Sequence, residues 1–110
     1  MNITFHASEK GINDYLIIGS TQEQTAVLVG NLTAFPGSSQ LMVSHSLWVY
    51  PAARGRGYSV SYDRWMRDFV IELGFRTVVA SVHVNNTVQH KRLTRLGWKK
   101  ISKTLWMVKA

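Results

Sequence analysis

The first half of the chain carries short apolar and β-branched runs that are separated by turn residues, and this spacing predicts antiparallel strands. The predicted strands cover residues 3–7, 15–18, 25–35 and 41–50. Among the turns between them, Pro36-Gly37-Ser38-Ser39 is the clearest. Gly30-Asn31 interrupts the third run and predicts a bulge or bend there. We therefore expect a four-stranded antiparallel meander that ends near residue 50.

The hydrophobic period changes after residue 57. Apolar and aromatic residues then recur at steps of three and four, which predicts an amphipathic helix. They are Tyr58, Tyr62, Trp65, Met66, Phe69, Val70 and Leu73. Helical spacing explains the Trp65, Met66 and Phe69 stripe as core, and Gly74 is a suitable C-cap.

The last part of the chain, from residue 77 onward, predicts a strand, a short helix and a hairpin. Residues 77–84 are β-branched and apolar, as in a buried central strand. Asn85-Asn86-Thr87 offers an N-cap for a helix over residues 88–96. Two short strands follow, over 98–101 and 104–108. The succession of strand, turn, helix and strand in the middle of the chain predicts a βαβ crossover.

The turn between the fourth strand and the first helix contains Arg54-Gly55-Arg56-Gly57. Its glycines allow backbone N–H groups to approach a ligand closely. The following helix directs its positive end and its unpaired N–H groups into the same turn, which is suited to phosphate. Open sheets also bind ligands at the carboxyl ends of such strands. The alternative is an ordinary turn with two solvated arginines.

Composition limits the classes of protein to consider. The chain has 110 residues, which suits a single domain over 1–110, and it has no cysteine. No apolar run reaches the about 18–20 residues that span a bilayer, and the first residues do not resemble a secretory leader. We therefore expect a cytoplasmic protein without a membrane partner. The net charge of +7 favours an anionic partner.

Two motifs resemble the signatures of the GNAT acetyltransferases. The stretch Arg54-x-x-Gly57-x-Ser59 is similar to their acetyl-CoA signature, Gln/Arg-x-x-Gly-x-Gly/Ala. The stretch from Asn86 to Gly97-Trp98 resembles their second signature, Asn-x-x-Ala-x-x-x-Tyr-x-x-x-Gly-Phe. The resemblance implies an α+β fold of the α/β-type three-layer kind, with a mixed, mostly antiparallel sheet around a βαβ crossover. Its short length is similar to that of phage-encoded members.

The resemblance also implies which residues bind acetyl-CoA. The diphosphate would lie on the turn that consists of Arg54, Gly55, Arg56, Gly57, Tyr58 and Ser59. The pantetheine arm would pair with the backbone of Leu47, Trp48 and Val49, on a strand that diverges from its neighbour. Asn86 would hydrogen-bond the arm, and Arg92 and Lys91 could meet the 3′-phosphate or solvent.

The chain departs from the family pattern in three ways. Leu93 occupies the position of a tyrosine that protonates the leaving thiolate in the family, and leucine cannot do this. Gln89 replaces a small alanine. The two helices that usually follow the first strand have no room within residues 8–14, so we expect the fold to lack them.

The candidates for proton transfer are His45, His83 and Tyr50. An imidazole titrates near neutrality and can act as a general base, and a tyrosine near the turn could replace the missing family tyrosine. For each histidine the alternative is a strand-edge residue bonded to backbone or water. The four histidines lack metal-ligand spacing, so we expect no metal site.

Three functions are compatible with this sequence. The first is an acetyl-CoA-dependent N-acetyltransferase that modifies an amine on a small molecule, a protein lysine or a protein N-terminus. The second is a non-catalytic GNAT-like protein that binds a protein partner. The third, nucleic-acid binding by the basic second half, is the weakest because exposed aromatic residues are not evident among the basic ones. Exposed strand edges would also permit a homodimer.

Overall fold

The computed structural model describes residues 2–23, 25–34 and 42–110 of the chain. These residues form seven strands, two α-helices and a 3₁₀ turn at Pro51–Ala53. The strands are β1 (Ile3–Gly11), β2 (Asp14–Thr21), β3 (Ala26–Ala34), β4 (Met42–Val49), β5 (Thr77–Ser81), β6 (Lys99–Lys100) and β7 (Leu105–Lys109). The helices are α1 (Tyr58–Glu72) and α2 (Thr87–Arg95).

The strands form one sheet in the order β1-β2-β3-β4-β5-β7-β6. Neighbours pair antiparallel except β4 and β5, which are parallel and joined through α1. This confirms the α+β class, the mixed, mostly antiparallel sheet and the central βαβ crossover. β1 turns into β2 at residues 12–13, so no helix separates these two strands, as expected.

Several predicted strand ends differ from the structure by one to four residues, and the ends of β1 and β5 are two of them. β1 continues to Gly11, because polar residues such as Ser8 and Glu9 still pair with β2 through their backbone at the exposed edge. β5 ends at Ser81, because the Val82 N–H donates to Thr104 O (2.7 Å) and draws the chain toward the last hairpin. Backbone pairing, which apolar patterning does not report, sets both ends.

The bulge predicted at Gly30-Asn31 is wrong. The β2–β3 register runs without interruption through Gly30, and the irregularity lies instead between Gly19 and Ser20. Gly30 leaves room for the Tyr62 ring, because a Cβ at this position would lie 2.7 Å from Tyr62 Cζ. The predicted turn Pro36-Gly37-Ser38-Ser39 lies outside the described residues.

Both helices pack on the same face of the sheet. His45, Ala80 and Trp106 are register partners across β4, β5 and β7, so their side chains share one face. The His45 ring contacts Tyr62 of α1, and the Trp106 ring contacts His90 of α2. The described residues therefore supply a sheet layer and one helix layer, and none of them forms a helix on the opposite face.

Tyr62 lies at the centre of the core, fully buried, with its ring against Phe5, His45 and Trp65. Burial raises the pKa of the Tyr62 hydroxyl above its ordinary value, and the neighbouring Asp63 adds to this effect. The hydroxyl has no hydrogen-bond partner in the described residues. The predicted apolar stripe is core, with Met66 fully buried and Trp65 and Phe69 stacked beside it.

His45 belongs to this core. Its ring lies between those of Tyr62 and Trp98, with centroid distances of 5.4 and 5.5 Å. Burial lowers its pKa from 6.5 to about 4, so the ring is neutral at neutral pH.

We predict that Gly30→Ala destabilises the fold by about 1–3 kcal/mol, because the added methyl group overpacks the core against the Tyr62 ring. Gly11→Ala is the matched control, since nothing lies within 4 Å of a Cβ there. Urea denaturation of both variants measures the difference. Equal stability of the two variants would contradict this role of Gly30.

We also predict that the burial of His45 by itself lowers the free energy of unfolding by about 2 kcal/mol between about pH 7 and pH 5. In that range the imidazole is protonated in the unfolded chain and neutral in the folded chain. The buried His45 therefore does not reduce stability above about pH 6.5, and the loss of stability grows as the pH falls toward 4. In His45→Leu the urea midpoint should change less over this range, whereas exposed His6→Gln should behave as the parent. The same pH dependence in His45→Leu would show that the burial of His45 is not its source.

Candidate functional site

A cleft opens where β4 and β5 separate. The two strands pair only from Met42 and Thr77 to His45 and Ala80, after which β4 continues to Val49 and β5 stops. The resulting cleft has a volume of about 490 Å³. Its lining residues come from β4, from the end of β5, from the loop after β5 and from α2. A ligand in the cleft would therefore lie between two parallel strands.

The diverging part of β4 presents backbone groups to the cleft. The Tyr50 N–H donates to Val27 O on the β3 side. Because hydrogen-bonding direction alternates along a strand, the N–H and C=O groups of Leu47 and Val49 point the other way, toward the cleft. These are the groups that the sequence predicted to pair with an extended ligand arm.

Arg54 ties the turn to this strand. Its Nε donates to Val49 O (3.0 Å), and its guanidinium carbon lies 4.6 Å from the centroid of the Trp48 ring. Trp48 is 54% exposed and lies on the sheet face opposite the helices. The structure thus brings together three predicted binding residues, Trp48, Val49 and Arg54, at one wall of the cleft.

The electrostatic character of the cleft is positive. Arg54 and Arg92 both line it, and no Asp or Glu is among its lining residues. Partial burial lowers the pKa of Arg92, and the positive charges of Arg95 and Arg54 lower it further. Arg92 Nη1 donates to Gln89 Oε1 (2.8 Å), a neutral partner that leaves its charge uncompensated. The cleft is therefore suited to an anion.

The turn has the backbone geometry that its glycines predict. Gly55 and Gly57 adopt left-handed φ angles of 77° and 79°. Gly57 is the N-cap of α1, no side chain caps this end, and its first turn contains no acid. The N–H groups at the start of α1, which include that of Ser59, are thus available for a ligand.

Six predicted residues in or near the turn are not among the described residues that line the cleft; they are Tyr50, Gly55, Arg56, Gly57, Tyr58 and Ser59. Tyr50, Arg56 and Tyr58 line a separate cavity of about 260 Å³ on the other side of the turn. Tyr58 is also buried in the core. Sequence position alone could not separate the two sides of the turn, because adjacent residues in a tight loop point in different directions.

The opposite wall contains Asn86 and His83, as predicted. The Asn86 side chain caps α2 by accepting from the Gln89 N–H (3.2 Å), so its NH₂ group is not used in that bond. His83 is exposed, and its Nδ1 accepts from the Asn85 N–H (3.2 Å). In the neutral ring this leaves the hydrogen on Nε2.

Two sets of hydrogen bonds near the site, made by His90 and Asp63, were not predicted from the sequence. His90 accepts from Trp106 Nε1 (2.9 Å) through Nδ1, and its Nε2 bonds to His83 O (3.1 Å), which fixes the loop beside the cleft. Asp63 accepts from Trp98 Nε1 (2.8 Å) and from Arg67 Nε (2.9 Å). The spacing of four residues between Asp63 and Arg67 could have indicated the second bond.

Leu93 is buried in the core with 1% exposure. It occupies the helical position where the sequence resemblance expects a tyrosine, and its side chain does not line the cleft. In the part of the chain that the structure describes, no helix is long and apolar enough to cross a membrane.

No family model matches the chain, and no curated protein matches its sequence. Solved structures match it closely in fold. Spermidine/spermine N-acetyltransferase SpeG from Vibrio cholerae has a TM-score of 0.84 at 9% identity, covering 98% of this chain and 92% of that chain. A GCN5-related N-acetyltransferase from Kribbella flavida has a TM-score of 0.80 at 21% identity, covering 94% and 71%.

A third similar structure contains a ligand. The putative acetyltransferase yncA from Salmonella typhimurium, solved with its cofactor acetyl-CoA, has a TM-score of 0.71 at 15% identity. It matches 87% of this chain, which spans 64% of that protein. This chain thus has the fold of the GCN5-related N-acetyltransferases, which is the GNAT fold that its two sequence motifs predicted.

Proposed function

We propose that this protein is an acetyl-CoA-dependent N-acetyltransferase that transfers an acetyl group to an amine. The observation that carries the proposal is the cleft between β4 and β5, whose described lining residues include two arginines and no Asp or Glu. The uncapped N-terminus of α1 follows shortly after Arg54 in the chain. The presence of the same fold in a protein solved with acetyl-CoA supports the identity of the ligand.

The donor groups of the cleft fit coenzyme A. The backbone of Gly55, Gly57 and Ser59 and the guanidinium of Arg54 would hold the diphosphate, since both supply hydrogen bonds and positive charge. The inward N–H and C=O groups of Leu47 and the inward N–H of Val49 would pair with the pantetheine arm, whereas the Val49 carbonyl oxygen already accepts from Arg54 Nε. The free NH₂ of Asn86 would donate to the same arm. Arg92 would meet the 3′-phosphate. Arg56 and Tyr58 would contribute only through their backbone.

The bound thioester supplies an acetyl group that is activated for attack by an amine. The protein must exclude water from the thioester and orient the amine. It must also allow two proton transfers, because the amine loses a proton and the leaving sulfur gains one. Among the described residues that line the cleft, His83 carries the one exposed imidazole ring. With Nδ1 occupied by Asn85, its Nε2–H acts as a donor, so we place His83 at the developing negative charge.

The other two predicted catalytic residues are less suitable. His45 is enclosed between Tyr62 and Trp98, and its lowered pKa makes it a weak base. Tyr50 lines the neighbouring cavity. Deprotonation of the acceptor amine then falls to solvent, which reaches the cleft wall at least at Trp48, a lining residue that is 54% exposed.

We predict that Arg54→Glu weakens coenzyme A binding by more than about tenfold, because it places a carboxylate beside the diphosphate. Arg76→Glu is the matched control, since it makes the same charge change at an exposed position next to the start of β5. Isothermal titration calorimetry measures both. Failure of the parent to bind coenzyme A, or equal weakening in both variants, would contradict the assignment of the cleft.

We predict that His83→Gln lowers kcat/KM for acetyl transfer by about 10²-fold while leaving coenzyme A affinity unchanged. Tyr50→Phe, which alters a side chain outside the cleft, should retain full activity. Steady-state assays with labelled acetyl-CoA and a panel of peptide and small-molecule amines measure both. Full activity of His83→Gln would remove His83 from the reaction.

One observation favours a second candidate function, a non-catalytic GNAT-like protein that binds a protein partner. The buried Leu93 and the lack of an acid in the cleft remove two groups that acetyl transfer commonly uses. Under this alternative the parent binds acetyl-CoA but releases no free thiol with any amine. Its partner would also still bind to the Arg54→Glu and Gly57→Glu variants.

A further inference from the structure

A further cavity, of about 400 Å³, lies on the side of α2 that faces away from the cleft. α2 contributes Thr87, His90 and Lys91 to this cavity, whereas it contributes Val88, Gln89 and Arg92 to the cleft. The other lining residues are Val84, Lys100 and Lys103. We call this cavity the lysine pocket.

The lysine pocket is strongly positive. Its three lysines are exposed, and no Asp or Glu is among its lining residues. The one ion pair within residues 2–23, 25–34 and 42–110 joins Arg67 to Asp63, so the three lysines have no carboxylate partner there. Lys100 Nζ lies 5.8 Å from the centroid of the Trp106 ring, which holds its charge over the pocket wall. An anion would neutralise charges that the fold itself leaves unpaired.

The walls of the lysine pocket are held by hydrogen bonds. His90 joins the wall formed by α2 to β7 through Trp106 Nε1 (2.9 Å). The hairpin that carries Lys100 and Lys103 is tied to the end of β5 through Val82 N and Thr104 O (2.7 Å). Ser102 Oγ shapes the hairpin turn by accepting from the Leu105 N–H (3.1 Å). The pocket is therefore preformed, so a ligand need not order it.

The lysine pocket and the cleft flank the same loop. His83 lines the cleft and the next residue, Val84, lines the pocket. An α-helix with its side chains is about 10–12 Å across and an extended chain spans about 3.3–3.6 Å per residue, so a peptide of about four or more residues can reach from one site to the other. His90 fixes this junction, because its Nε2 bonds to the His83 carbonyl oxygen (3.1 Å).

We propose that the lysine pocket binds the carboxylate side chains of an acidic segment in a protein acceptor. An acidic residue a few positions from the reactive amine would enter the pocket while the amine reaches the cleft. This inference rests on the proposed acetyl transfer and adds the acceptor class to it. Carboxylates match the three ammonium groups in charge and in hydrogen bonding.

The pocket is better suited to an acidic peptide than to a nucleic acid. Single strands are bound by exposed aromatic rings together with a positive groove. Trp106, whose ring centroid lies 5.8 Å from Lys100 Nζ, is buried with 5% exposure and cannot stack on a base. The reaction also consumes an aliphatic amine, which lysine side chains and protein N-termini supply.

Fluorescence anisotropy without coenzyme tests the pocket directly. The probe is a labelled peptide in which a central lysine is flanked by glutamates, and its partner has glutamine at each glutamate position. We expect the acidic peptide to bind at least about tenfold more tightly at low salt and to lose that advantage as salt is raised. In the Lys91→Glu, Lys100→Glu, Lys103→Glu triple variant the preference should disappear, and in Lys103→Gln it should fall.

Lys10→Glu is the matched control, because β1 lies at the opposite edge of the sheet from β6. It should retain the preference for the acidic peptide. Equal binding of the two peptides by the parent, an unchanged preference in the triple variant, or tight binding of a labelled single-stranded DNA in place of the peptide would overturn the proposal. Calorimetry with coenzyme A on the same variants reports separately on the proposed acetyl transfer.

Discussion

The separation of β4 from β5 is the constraint on which the candidate site depends. In a continuous sheet, the backbone groups of Leu47 and Val49 would be used by a neighbouring strand. Because the parallel pairing ends at His45 and Ala80, these groups instead face an open cleft. Arg54, in the turn after β4, lines the cleft beside this strand, and the loop before α2 lines its other wall.

The core explains why β4 and the crossover helix keep this arrangement. Tyr62 projects from α1 onto the sheet, where Gly30 leaves room for its ring and His45 packs against it. Trp98 lies on the other side of His45 and is bonded to Asp63 of α1. A helix, the strand that borders the cleft and the segment after α2 are thereby fixed to one another. The His45 ring is buried in the core rather than exposed to solvent, and this burial lowers its pKa.

Much of this fold could be predicted from the sequence, because its strongest signals are local. The period of the apolar residues gave α1, the Asn86 cap gave the start of α2, and the turn glycines gave the left-handed backbone at Gly55 and Gly57. The errors concern contacts between distant segments. Gly30 resembles a bulge in sequence, but its function is to accommodate a tyrosine from α1. No local pattern shows that Tyr50 faces away from the cleft or that His90 supports its neighbouring loop.

The proposed function requires that coenzyme A occupy the cleft along the side of β4 that faces away from β3. Hydrogen–deuterium exchange with and without coenzyme A measures this at individual backbone amides. We expect slower exchange at Leu47 and Val49 and in the turn over residues 55–60, with the β1–β2 edge unchanged. Unchanged exchange at Leu47, Val49 and the turn at the highest soluble coenzyme concentration would contradict it.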